Sequence, residues 1–172
     1  MNLNLNELVQ QVNGEFAERF ESRNLDLICI LQPEPLLICA DSRRIWRVLE
    51  NLYVNVCKYA MPGTRVYVDA IKKDGKIQLS IKNISENPLN FQADELTERF
   101  IRGDVSRSTE GSGLGLSIAK NLTVLQHGSF NIYLDGDLFK VTITFDEAVK
   151  EKKPMPPMIV PEAVQEEAQQ DA

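Results

Sequence analysis

Two stretches carry residues whose types and spacing could do chemistry. The first is the run Ser108-Thr109-Glu110-Gly111-Ser112-Gly113-Leu114-Gly115-Leu116-Ser117-Ile118-Ala119-Lys120. Its three glycines alternate and lead straight into a helical pattern. Without a Cβ, such residues let backbone N–H groups lie against an anion. The helix that follows aims its unpaired N–H groups and the positive end of its dipole at the same place. The run is therefore a candidate phosphate cradle. A flexible turn before an ordinary helix fits the glycines as well, because a short glycine pattern alone is a weak signal. No Gly-Lys-Ser/Thr closes the run, so it is not a P-loop. Its spacing, and the lack of a strand leading into it, separate it from the dinucleotide fingerprint. The second stretch holds Asn51, Asn55 and Lys58 at i, i+4 and i+7. On a helix these form one polar stripe beside an apolar face. That stripe is either a ligand wall or a solvated face.

Elements must position these residues. Ile118, Leu122 and Leu125 fall at helical spacing after the glycines, with Gly128 as the expected stop. The asparagine stripe rides on a helix expected over 42–60, capped at Asp41-Ser42, with Ile45, Val48, Leu49, Leu52 and Val56 on its apolar side. Leu5, Leu8, Val12, Phe16 and Phe20 make the first twenty or so residues an amphipathic helix. Short apolar runs at 25–31 and 36–39 read as strands, parted by Pro33 and Pro35. A hairpin follows the turn at Pro62-Gly63. It runs over 65–71, turns at Asp74-Gly75, and returns through the alternating Ile77, Leu79 and Ile81. A second hairpin pairs Phe130, Ile132 and Leu134 with Phe139, Val141, Ile143 and Phe145 across a turn at Asp135-Gly136. Between the hairpins, residues 84–110 lose all pattern. Leu89, Phe91, Leu96 and Phe100 are the apolar anchors there, and Arg99, Arg102, Asp104 and Arg107 supply charge. So long a loop in a compact domain is usually functional or mobile. Beside the cradle it reads as a lid, with an ordinary insertion as the alternative. From about residue 146 the chain is rich in Pro, Glu, Gln and Ala and reads as a disordered or loosely docked tail.

The 172 residues suit one domain with extensions, and the net charge of -6 argues against a nucleic-acid partner. No apolar run is long enough to span a bilayer, and no signal peptide stands at the start. Cys29, Cys39 and Cys57 lack metal spacing and read as reduced core residues of a cytosolic protein.

The order of motifs, a helix with Asn51, Asn55 and Lys58, a hairpin, a long loop, a glycine cradle with its helix and a second hairpin, resembles the ATP-binding catalytic domain of bacterial sensor histidine kinases. That domain belongs to the GHKL superfamily, shared with gyrase B, MutL and the large heat-shock ATPases. The resemblance covers roughly residues 36–145. Asn51-Leu52-Tyr53-Val54-Asn55-Val56-Cys57-Lys58-Tyr59 is similar to the N box. It implies that Asn55 holds Mg²⁺ on the phosphates, that Lys58 contacts phosphate, that Tyr59 packs on the nucleotide and that Asn51 lines the pocket. A neutral carboxamide oxygen suits a hard cation already balanced by a triphosphate. In the ATP-hydrolysing relatives a Glu four residues before the metal-binding Asn activates water. Asn51 cannot act as a base, which favours transfer to a protein over hydrolysis. Glu98-Arg99-Phe100-Ile101-Arg102-Gly103-Asp104 is similar to the F box, which implies that Phe100 anchors the lid and that Arg99 or Arg102 meets the phosphates. Gly111, Ser112, Gly113, Leu114, Gly115 and Leu116 are similar to the G2 box, whose backbone N–H groups hold the β- and γ-phosphates.

The departure is at the G1 box, which usually reads Asp-x-Gly-x-Gly. Here Asn83 stands in place of the adenine-reading Asp, and Ser85 and Asn87 replace both glycines. An Asn oxygen still accepts a hydrogen bond from the adenine amino group, without charge. A stiffer lid hinge follows from the missing glycines. A subset of Gram-positive kinases resembles this variant.

The chain's single histidine, His127, ends the glycine helix and lacks the setting of a phosphoacceptor on a dimerisation helix. The resemblance thus implies a two-layer α/β sandwich of the Bergerat type: a mixed, mostly antiparallel sheet with helices on one face and an ATP lid. Residues 1–22 are expected to be a linker helix from an absent dimerisation domain, 23–146 the catalytic domain and 147–172 the tail. The implied activity is γ-phosphoryl transfer from Mg-ATP to a histidine on that dimerisation domain, with a response regulator downstream. The domain itself would be cytoplasmic and touch neither membrane nor nucleic acid, within a parent in the bacterial plasma membrane. A nucleotide-sensing or scaffold module with a degenerate G1 box, and a serine kinase of the anti-sigma type, are the alternatives.

Overall fold

The computed structural model describes residues 1–89, 114–149 and 155–158. In chain order the elements are β1 (Asn2–Asn4), α1 (Leu5–Ser22), β2 (Asp26–Leu31), β3 (Leu37–Cys39), α2 (Ser42–Tyr59), β4 (Arg65–Lys73), β5 (Lys76–Ile84), α3 (Gly115–Leu125), β6 (Ser129–Asp135) and β7 (Leu138–Asp146). Five strands form the main sheet in the order β2-β4-β5-β7-β6. Only β2 and β4 are parallel; the other pairs are antiparallel. A mixed, mostly antiparallel sheet is what the sequence predicts. β1, which the periodicity does not reveal, pairs antiparallel with β3 in a separate two-stranded sheet.

One face of the main sheet is buried. Alternation puts Val66, Val68 and Ala70 of β4, Ile77, Leu79 and Ile81 of β5, and Val141, Ile143 and Phe145 of β7 on that face. The helices cover it. α2 buries Ile45, Val48, Leu49, Leu52 and Val56, the stripe expected from spacing, and adds Tyr53. Asp41 caps it, its carboxylate accepting from the N–H groups of Arg43 and Arg44 at 2.9 and 3.2 Å. Asp74 and Gly75, both with positive φ, turn the β4–β5 hairpin as expected.

Four observations add to the sequence expectations or differ from them. The first is α1, expected as a linker helix. Its Leu5, Val9 and Val12 are fully buried and Phe16 and Phe20 nearly so, all in the core that holds the sheet. α1 and the residues after 22 share one hydrophobic core. Second, the chain stays docked beyond β7: the Glu147 and Ala148 N–H groups donate to the Gly75 and Leu37 carbonyls at 2.9 and 2.8 Å. Third, the cysteines are free as expected, but Cys29 and Cys39 are exposed and Cys57 only partly buried. Cys29 lies on β2, an edge strand of the main sheet among the described residues. Partial burial still pushes the Cys29 and Cys57 thiols up from their ordinary range. Both should therefore alkylate slowly near neutral pH, as mass spectrometry after timed iodoacetamide treatment would show. Fourth, α3 is rotated from the expected stripe. It buries Leu116, Ala119 and Thr123, while Leu125 is 65% exposed. The small Ala119 and Thr123 let α3 lie close on its neighbours.

The stop of α3 also differs. His127, with φ +64°, takes the left-handed position, and Gly128 follows it. Gly128 serves a close approach: a Cβ there would lie 2.5 Å from Phe145 Cε1 and 2.8 Å from Thr123 Cγ2. Both neighbours are buried. Gly128→Ala should therefore lower stability by about 1–3 kcal/mol in chemical denaturation, the usual cost of overpacking.

Candidate nucleotide site

The polar stripe and the glycine helix meet. A Cβ built on Gly115 would sit 3.5 Å from Asn51 Oδ1, so the first turn of α3 lies against α2 at Asn51. Asn51 turns its amide back on its own helix, Nδ2 donating to the Arg47 carbonyl at 2.8 Å. Asn55 is one turn further along and only 9% exposed. Among the described residues its carboxamide makes no hydrogen bond and its neighbour Lys58 no ion pair. A buried amide normally finds a partner. Among the described residues Asn55 thus presents an uncommitted carboxamide on a nearly buried residue, and Lys58 an uncommitted cation on the same stripe.

Leu114, half-buried, is the N-cap of α3 and offers no side-chain acceptor. Ser117 does not cap the turn, because its Oγ donates to the Leu114 carbonyl at 2.9 Å. Backbone N–H groups at an uncapped helix start favour an anion. Leu116, the last residue of the expected glycine motif, sits in the first turn of α3 with its side chain in the core, 1% exposed. Gly111, Ser112 and Gly113 of the cradle, and Phe100 and Arg102 of the lid motif, lie outside the described residues.

Asn83 belongs to the buried row of β5, at 2% exposure, in register with Phe139 of β7. Among the described residues its Oδ1 is buried without a hydrogen-bond partner. An orphaned acceptor of this kind costs free energy unless something supplies a donor. The loop after Asn83 is stitched to the end of α2. Met61 N–H donates to the Ile84 carbonyl and Glu86 N–H to the Tyr59 carbonyl, each at 2.8 Å, and Ala60 pairs with Ser85. Ser85 Oγ donates to the Asn87 carbonyl at 2.7 Å, which gives this non-glycine loop a tie of its own. Tertiary structure thus brings Asn51, Asn55, Lys58, Tyr59, Asn83 and the start of α3 to one end of the sheet's helical side.

Three partners of this frame carry no local signal in the sequence. Gln126 Oε1 accepts from Asp41 N–H at 2.7 Å, fastening the end of α3 to the start of α2. The Asp137 carbonyl takes the Ser85 N–H at 2.7 Å. Arg23 reaches the last turn of α2. Only long-range pairing reveals them.

The residues fit a metal-bound polyphosphate better than a metal alone. Among the described residues no group of three His, Cys, Asp or Glu side chains could hold an ion. One carboxamide oxygen is a poor magnesium site by itself, but a sufficient protein ligand when phosphates supply the rest. Among the described residues no helix is long and apolar enough to cross a membrane.

A family model described as histidine kinase-, DNA gyrase B-, and HSP90-like ATPase matches residues 40–149. The signal transduction histidine-protein kinase BaeS of Escherichia coli is 32% identical over 123 residues, which cover 70% of this chain and 26% of that one. The chain spans between 26% and 32% of the length of the first curated relatives it matches. Among solved structures, the catalytic domain of histidine kinase ThkA, in a nucleotide-free form, shares the fold with a TM-score of 0.74 and 25% identity, over 86% of this chain and 95% of that one. A structure of histidine kinase ThkA in complex with the response regulator protein TrrA has the same fold, with a TM-score of 0.69 and 23% identity, over 86% of this chain and 42% of that one.

Proposed function

The chain belongs to the family of histidine kinase-, DNA gyrase B- and HSP90-like ATPases, and from that premise we propose that it binds Mg-ATP and donates the γ-phosphoryl group to a histidine outside itself. The observation that carries this is Asn55, a nearly buried residue whose carboxamide has no hydrogen bond among the described residues, on the helix that meets the start of α3. In this reading Asn55 gives its oxygen to Mg²⁺, which when bound neutralises charge on the phosphates. Lys58 contacts phosphate. The backbone N–H groups from Gly111 to Leu116 hold the β- and γ-phosphates, and Phe100 and Arg102 close over them. Tyr59 packs on the nucleotide, and the orphaned Asn83 oxygen accepts from the adenine amino group. Phosphoryl transfer needs mainly such positioning and charge neutralisation.

Transfer rather than hydrolysis is supported at Asn51. Its side chain is no base, and its amide is committed to the Arg47 carbonyl. His127 closes α3 rather than lying within a helix, and in this reading the receiving histidine belongs to a separate dimerisation domain. A response regulator is the expected next partner, as TrrA is for ThkA. The parent protein would place this domain on the cytoplasmic side of a bacterial plasma membrane. The catalytic domain takes in α1 and runs through Ala148, with the remaining residues a tail.

Calorimetric titration with ATP and ADP, with and without Mg²⁺, tests the reading, with GTP as control. Adenine-selective, Mg²⁺-sensitive binding is the expected result; absence of binding overturns it. Transfer to a His-bearing helix pair, with none to a Ser-bearing partner and little steady-state phosphate release, is expected next. Gly113→Ala should weaken ATP binding by about tenfold or more, since a Cβ crowds the phosphates. Unchanged affinity in that variant removes the cradle from the site.

A further inference from the structure

Arg23 stands where three segments meet that are far apart in sequence. It is the C-cap of α1. Its Nε donates to the Cys57 carbonyl at 2.8 Å, and Nη2 to the Ala60 carbonyl at 3.2 Å. Those carbonyls belong to the end of α2, whose last acceptors have no partner within the helix. The same Nη2 lies 3.6 Å from Glu86 Oε2 in the loop after β5. A cation is favoured at a helix C-terminus by the dipole. The rigid fork of a guanidinium can also serve two carbonyls at once, which a single ammonium does less well. The ion pair is the lesser part, because both partners are partly exposed, 36% and 48%.

We propose that Arg23 is a positioning residue for the nucleotide site. It holds the turn of α2 bearing Asn55, Lys58 and Tyr59 against the loop that follows Asn83. The phosphate side and the base side then keep one spacing. The proposal rests on the nucleotide reading above, and Arg23 acts only through Cys57, Ala60 and Glu86. Without its guanidinium two helix-end carbonyls lose their donors and the loop loses its cation. The backbone bonds from Met61 to Ile84 and from Glu86 to Tyr59 are then left to hold the joint alone.

Two measurements on the full chain separate the proposal from that reading: amide hydrogen exchange without nucleotide, and calorimetric titration with Mg-ATP. In Arg23→Ala the Met61 and Glu86 amides should exchange about tenfold faster, with the β4–β5 hairpin amides unchanged. The Kd for Mg-ATP should rise about tenfold or more, and Arg23→Lys should recover part of both effects. If Arg23→Ala only lowers the unfolding temperature, with wild-type Kd and wild-type exchange at Met61 and Glu86, Arg23 is an ordinary helix cap and the proposal is wrong. Should Arg23→Ala not fold, Arg23→Lys decides: intermediate values support positioning, and wild-type values overturn it. A wild-type chain that binds no Mg-ATP overturns the nucleotide reading and this proposal together. Wild-type binding with unchanged variants overturns this proposal alone.

Discussion

Asn55→Ala should abolish Mg²⁺-dependent nucleotide binding while leaving the protein at least as stable as before. The two halves of this result have one cause. Asn55 is 9% exposed and, among the described residues, makes no hydrogen bond. Its carboxamide therefore contributes no hydrogen bond to the unliganded fold. Alanine loses no hydrogen bond there and is the better helix former, by a few tenths of a kcal/mol or more. Toward a bound cation the balance reverses, because one ligand of the metal is lost. The expected loss in affinity for Mg-ATP is at least about 100-fold, close to 3 kcal/mol. Calorimetry with and without Mg²⁺, run beside thermal unfolding, reads both. A Kd within about threefold of wild type would refute the assignment of Asn55. Loss of binding together with a large loss of stability would instead make Asn55 a core residue.

Tyr53→Ala should have the largest effect on stability. Tyr53 is 1% exposed on the buried side of α2. Its ring meets Phe16 edge-on with centroids 5.4 Å apart, and stacks on Phe20 at 5.6 Å. Its hydroxyl donates to Asn13 Oδ1 at 2.5 Å. Burial raises its pKa well above the ordinary tyrosine value, so the hydroxyl stays protonated and donating. Truncation of a buried aromatic ring costs about 3–5 kcal/mol, a large part of the stability of a small domain. Tyr53→Phe keeps the ring and loses one hydrogen bond. It also leaves the Asn13 oxygen without its donor, so about 1–2 kcal/mol is expected. Urea unfolding of both variants gives the comparison. All three of these contacts join α2 to α1, so a chain lacking residues 1–22 should fail to fold by circular dichroism. A cooperative transition in that truncated chain would restore the linker reading of α1.

The contrast between Asn55 and Tyr53 shows how far the sequence could be read. Both lie on α2, two residues apart, and the helix with its buried stripe was legible from spacing alone. The period of 3.6 separates Asn55 and Lys58 from Ile45, Leu49 and Leu52 without any knowledge of neighbours. The two hairpins were legible for a similar reason. Strict alternation and Asp-Gly turns are local signals, so Ile77, Leu79 and Ile81 declare the buried face of β5 by themselves. The N-box and glycine motifs are local in the same sense, each a short run whose expected chemistry depends on its own residues.

What the sequence by itself determined is therefore the local grammar: helix, hairpin, glycine run and hairpin, with an asparagine stripe beside an apolar face. Tertiary structure alone decided where those pieces meet. It made α1 a core helix through Phe16 and Phe20 on Tyr53, rotated α3 so that Ala119 and Thr123 face inward, and left the oxygen of Asn83 buried without a partner. It set Arg23 on the carbonyls of Cys57 and Ala60. Amphipathic periodicity tells a residue that it must be buried, but not against what. The partner is chosen by complementary shape and unmet hydrogen bonds between segments distant in the chain, and no short window of sequence contains both sides of that match.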